Sequence, residues 1–158
     1  MEIIDKITGV IFGLFGSIIA SLCVSFATSL LTDDSVAIVL AGSLVGTASS
    51  FANAFGPVVS SSQILDNKIY SKQDIEQALV SFIVTIFIVG LPLIPYILFK
   101  DMALARMISV MTGLVLLFIF GVQHAQLKHY SPLLYGFMMV AIGIVCAYAA
   151  AYATHFFV

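Results

Sequence analysis

The stretch from Ile7 to Leu31, ITGVIFGLFGSIIASLCVSFATSLL, contains no Asp, Glu, Lys or Arg. A helix rises 1.5 Å per residue, so about 20 apolar residues cross the hydrocarbon core of a bilayer. This run is therefore long enough to span a membrane. Lys6 precedes it, but the run exceeds the apolar core of a signal peptide and lacks a clear small-residue cleavage site, so it reads as a retained span. Small residues recur in it at every fourth place, Gly9, Gly13, Ser17, Ser21 and Ser25, and so share one helix face. Helices in lipid associate where such residues let backbones approach, and this face is expected to be a contact.

Beyond Leu31 the pattern repeats. Thr32-Asp33-Asp34-Ser35 supplies a tight hydrated turn, and apolar runs follow at about 36–59, 78–99, 107–122 and 132–156. Of the 158 residues, 61% are hydrophobic and 9% charged, against roughly 25% charged in soluble domains. The expected fold is an all-α membrane protein of about five transmembrane helices, forming a single transmembrane domain over residues 1–158, with a linker at 60–77. That linker carries Asp66, Lys68, Lys72, Asp74 and Glu76, and Ser71 to Asp74 resembles a capping box that opens the third span. His124, Lys128 and His129 are expected in the loop before the fifth span, which Pro132 opens from a first helical turn. With the N-terminus inside, Lys6, Lys68, Lys72 and Lys128 are cytoplasmic, and only Lys100 and Arg106 lie outside. The positive-inside rule then favours N-in, C-out.

A second ladder of small residues, Gly42, Gly46, Ser50 and Ala54, lies in the second span, and a shorter one, Gly143, Ala147 and Ala151, in the fifth. The first two ladders, Gly9, Gly13, Ser17 and Ser21 with Gly42 and Gly46, either line a path or a dimer seam or serve plain helix packing. Pro57 has no N–H to give the carbonyl of Asn53, and Asn53 brings a side-chain amide to the same place. Those oxygens could bind a cation, a water or a hydroxyl such as Ser49 or Ser17, the last being an ordinary helix–helix hydrogen bond. The candidate path residues are thus Asn53, Ser49, Ser17 and Pro57. Pro92 and Pro95 free the carbonyls of Ile88 and Leu91 in the same way, and a kink is expected there.

No acidic or basic side chain lies in the central part of any expected span, which argues against a conventional proton pump. His124, His129 and His155 lack metal-ligand spacing, Met107, Met111, Met138 and Met139 read as gap-fillers in apolar packing, and Cys23 and Cys146 read as small hydrophobes. No constellation of catalytic residues is present, so no enzyme is expected and no catalytic residue is assigned. A net charge of -2 without a basic stripe gives nucleic-acid binding no support. The bilayer is the expected surrounding, with the protein integral and multi-pass, in the cell membrane if the source is prokaryotic.

Gly90-Leu-Pro-Leu-Ile-Pro-Tyr96, the stretch from Ala105 through Ser131-Pro132, Leu40-Ala-Gly-Ser-Leu-Val-Gly46, and Gly56 with the serines up to Gln63 occur in an order that resembles the vacuolar iron transporter family. The resemblance covers nearly the whole chain, as a small and divergent member. It implies a five-span homodimer that moves ferrous or manganous ions out of the cytosol in exchange for protons, along a path between the two first spans. Fe2+ or Mn2+ would be substrate, and no resident cofactor is implied. The family's ligand positions are not retained: an Asp before Gly-Leu is replaced by Phe12, a methionine by Asn53, and a glutamate by Pro57, within a residue of alignment. Ser60 to Gln77 takes the place of a longer glutamate-rich insert. Two alternatives therefore stand beside an iron or manganese carrier: a non-transporting scaffold or interaction protein of the same fold that has lost its ligands, and a carrier whose substrate has become uncharged.

Overall fold

The computed structural model describes residues 2–64 and 72–156, and every regular element among them is helical. Helix α1 spans Glu2–Leu31 and α2 spans Ser35–Ile64; α3 runs Lys72–Gly90, a 3-10 turn covers Leu91–Leu93, α4 covers Ile94–Leu98, α5 covers Met102–Leu127 and α6 covers Pro132–Thr154. Five segments are long and apolar enough to cross a membrane: Gly13–Leu31, Ser35–Gly56, Ile75–Leu98, Met102–Leu127 and Pro132–Thr154. The protein is an integral, multi-pass membrane protein.

Local chemistry sets the ends of these helices. Asp34 opens α2 by accepting from the Val36 N–H at 2.9 Å, and it receives support from Thr32, whose Oγ1 accepts from the Asp34 N–H at 3.1 Å. Asp101 does the same for α5, taking the N–H groups of Ala103 and Leu104 on Oδ1 at 2.9 and 3.3 Å. Pro132 occupies the first turn of α6, where a missing N–H costs nothing. At the other end of α5, His129 adopts φ 57° and lets the Tyr130 N–H return to the Ala125 carbonyl at 2.9 Å.

Several boundaries differ from those expected, each for a physical reason. The Asp101 cap starts the fourth crossing at Met102 instead of Met107, so Arg106 lies within the helix. Its other end reaches Leu127, which places His124 inside α5 and not in a loop; there the ring stacks on Tyr135 at 5.2 Å and meets Phe15 edge-on at 6.2 Å. Helix α2 continues past Pro57 to Ile64, and α3 begins at Lys72, so both ends of the expected 60–77 linker are helical. Its middle, with the expected capping residue Ser71, lies outside the described residues, as do the side chains of Phe12 and Pro57. The kink expected at the paired prolines is a change of helix type. Pro92 lies in the 3-10 turn and Pro95 at the start of α4, and both are buried.

α1 is the centre of the bundle, packing against α2 on one side and α5 and α6 on the other. Ile11, Phe15 and Ile18 of α1 join Val89, Leu117 and Met139 in the larger apolar core, while Ile38, Tyr96 and Ala105 form a smaller one. A neighbouring stripe of α1 is polar, with Ser17, Ser21, Ser25 and Ser29 all at most 1% exposed. That face carries the ladder seen in the sequence, and its partner is the ladder of α2 in the same chain. A Cβ added at Gly42 would lie 3.1 Å from the Ser25 Cβ, and one at Gly46 would lie 3.1 Å from the Ser21 Cβ.

Candidate functional site

At the other end of the same ladder, α2 presents Asn53 to α1. Its Nδ2 donates to the Gly13 carbonyl at 3.0 Å, to Ser17 Oγ at 3.2 Å and to Ser49 Oγ at 3.3 Å. Ser17 Oγ in turn donates to the Gly13 carbonyl at 3.0 Å and stands 3.5 Å from Ser49 Oγ. Glycine at position 13 is what brings the two helices this close, since a Cβ there would lie 2.9 Å from the Asn53 Cβ. Ser17 is fully buried while Asn53 is exposed on the outside of the bundle. The second crossing segment ends at Gly56, so Asn53 lies one helical turn from its end.

The structure thus brings together three of the four residues singled out in the sequence, Asn53, Ser49 and Ser17. They meet in a way the sequence did not suggest, because the amide nitrogen of Asn53 points into the cluster. The Gly13 carbonyl, read from the sequence only as a packing position, is the group this nitrogen meets at the shortest distance. An amide nitrogen carries two hydrogens and can serve two of these three oxygens at once. The cluster is therefore rich in acceptors and holds no formal charge. Among the described residues no three His, Cys, Asp or Glu side chains come together in a way that could hold a metal ion.

At the far end of α1, Arg106 of α5 reaches across to Ser29. Its Nε donates to Ser29 Oγ at 3.0 Å, and its Nη2 donates to the Ser29 carbonyl. Carbonyls in the last turn of a helix lack intrahelical donors, so a cation there is favourable. Sequence reading placed Arg106 at an interface without a partner; a basic residue at the start of one span and a serine at the end of another were the available signals. The polar face of α1 consequently runs from the Asn53 cluster to a guanidinium.

Five helices long and apolar enough to cross a membrane, a neutral oxygen cluster between the first two and a polar face along the central one describe a multi-pass membrane protein. The profile of the VIT family matches residues 63–155, more than half of the chain, and the protein belongs to this vacuolar iron transporter family of membrane metal-ion transporters. The matched part holds α3 through α6, and the crossing parts of α1 and α2 precede it. Among curated proteins and solved structures nothing matches the chain.

Proposed function

We propose that the protein carries ferrous or manganous ions across the membrane in exchange for protons, with the cluster of Asn53, Ser49, Ser17 and the Gly13 carbonyl as its metal-handling site. The observation that carries this reading is the position of the Asn53 amide nitrogen, within 3.0 to 3.3 Å of three oxygens from two helices. Turning the side-chain amide over replaces that donor by Oδ1 and leaves four neutral oxygens around one point. Carbonyl, amide and hydroxyl oxygens suit hard divalent ions, which keep some of their water where a protein offers few ligands. Exposure of Asn53 leaves room for that water. A site without carboxylates holds an ion weakly, and a carrier has to release what it binds.

The orientation in this reading is N-in, C-out, supported by the excess of basic residues on the N-terminal side. The cluster then lies at the cytoplasmic end of the first two helices. A homodimer is supported by the bare face beside it: Gly16 is exposed, and a Cβ there would lie 3.3 Å from Asn53 Nδ2. A second copy would cover this polar group, which lipid cannot hydrogen-bond. The competing reading, a scaffold of the same fold, draws on the neutral donor set, since the same hydrogen bonds would fasten α1 to α2 without any ion.

Uptake of Fe2+ and Mn2+ into proteoliposomes under an imposed pH gradient separates the two. A carrier gives saturable uptake above protein-free liposomes and loses it when the gradient is collapsed. Uptake no greater than in protein-free liposomes, for both ions, favours the scaffold.

A further inference from the structure

The exchange proposed above requires a group that takes up a proton. The Asn53 cluster has none, because amides, hydroxyls and carbonyls do not titrate near neutral pH. Among the described residues the buried side chain that does is His124 of α5, 5% exposed. It lies three residues before Leu127, where the fourth crossing segment ends, as Asn53 lies three residues before Gly56, where the second ends. The second and fourth crossings run in the same direction, so the two residues stand at the same side of the membrane.

The surroundings of His124 fix its ring and tolerate a charge. The imidazole stacks on Tyr135 with centroids 5.2 Å apart and planes at 22°, Tyr135 lies 6.2 Å from Tyr130 at 15°, and Phe15 of α1 meets the imidazole edge-on at 6.2 Å and 70°. The face of an aromatic ring attracts a cation, which compensates the protonated imidazole for part of the water it has lost. The ionisable groups around it are Lys128 one turn along α5, His129 and Tyr130 in the turn that follows, and Tyr135 of α6. The described side chains of α1, from Val10 on, include no Asp, Glu, Lys, Arg or His.

Helix α1 stands between this ring and the Asn53 cluster. Phe15 meets His124, while Gly13 and Ser17, two places to either side of it in the chain and hence about half a turn round the helix, meet Asn53. A helix with its side chains is about 10–12 Å across. At that distance and an effective dielectric of about 20, two unit charges change each other's binding roughly tenfold.

We infer that His124 is the proton site coupled to the Asn53 cluster: protonation of its imidazole weakens the hold of the cluster on a divalent cation, and a cation entering the cluster sends that proton to the water at the end of α5. The two bindings are reciprocal, so acid weakens the cation site and the cation makes His124 harder to protonate. This inference rests on the carrier reading for its ion, but the coupling itself is tested without metal.

The test is the titration of His124, followed by NMR in nanodiscs with isotope-labelled histidine in a background of His129→Gln and His155→Gln. Asn53 is exposed, so a new charge can be placed there without entering the core. Relative to Asn53→Leu, Asn53→Asp is expected to raise the midpoint of the His124 titration by about half a pH unit or more, and Asn53→Lys to lower it. Mn2+ binding is measured alongside. Its affinity in the otherwise native protein should fall about tenfold from about pH 8 to about pH 5, and His124→Phe, which keeps a ring against Tyr135 and Phe15, should remove most of that fall. A midpoint that is the same in all three Asn53 variants overturns the inference, and so does Mn2+ binding with an undiminished pH dependence in His124→Phe. A midpoint that moves while no protein binds Mn2+ keeps the coupling and removes the carrier. Mn2+ binding with an unmoved midpoint keeps the carrier and removes the coupling.

Discussion

The α1–α2 and α5–α6 interfaces use the same spacing of small residues and fill it with different chemistry. Between α5 and α6 the notches receive carbon: a Cβ at Gly136 would meet the ring of Phe118 at 2.8 Å, and one at Gly143 would meet Leu117 Cδ1 at 2.5 Å. Gly121 and Gly136 approach so closely that a Cβ on the first would lie 3.0 Å from the Cα of the second. Between α1 and α2 the glycines face Ser21, Ser25 and Asn53 across the interface, with Val89 and Leu93 of the third crossing lying closer still to Gly46 and Gly42. Packing in lipid rewards close approach in both places, and hydroxyls are not required for it. The hydroxyls and the amide between one pair of helices, against a wholly apolar filling in the other, underlie the proposed division between a part of the molecule that holds the bundle together and a part that acts on an ion.

If that division is right, substitutions in the two regions should fail in different ways. The largest loss of stability is expected from Gly121→Val, where the new side chain meets backbone that cannot swing aside. Overpacking of this kind should cost on the order of 3 kcal/mol, read as a lowered melting temperature and loss of a monodisperse peak in detergent. Arg106→Ala comes next. It strips a charge-assisted pair of hydrogen bonds from the end of α1, for about 2 kcal/mol by the same thermal measurement, and Arg106→Lys should recover only part because one ammonium cannot serve both Ser29 oxygens as a planar fork does. Asn53→Leu should be the mildest for the fold. Interhelical hydrogen bonds in membranes average about 0.6 kcal/mol, so the melting temperature should barely move while metal uptake falls about tenfold. A large fall in stability with Asn53→Leu would make the cluster a fastener and erase the contrast between the two regions.

The number of crossings was legible because uncharged runs of this length have no other place to lie. So was the small-residue face of α1, since a four-residue period fixes which side chains share a side of a helix. A period does not name a partner. That Gly42 meets Ser25 and Gly46 meets Ser21 depends on how two helices of one chain are paired, and the grip of Arg106 on Ser29 joins residues far apart in sequence. Asn53, Ser49 and Ser17 could be grouped from the sequence because a polar amide and two hydroxyls inside apolar runs have few other partners. Which end of the amide faces inward could not be read there, for it depends on the Gly13 carbonyl across the interface. His124 was misplaced into a loop because polar residues usually mark a helix end, whereas here Tyr135 and Phe15 shelter its ring within the helix.

The central claim is that the Asn53 cluster is an ion site of neutral oxygens, and Mn2+ binding to the purified protein in nanodiscs tests it most directly, comparing the wild type with Asn53→Asp and Asn53→Leu. A carboxylate in place of the amide adds charge to the ligand set without changing its size, so Asn53→Asp should bind Mn2+ at least about tenfold more tightly and Asn53→Leu should bind it least. The same affinity in all three proteins, or binding in none, would contradict the claim.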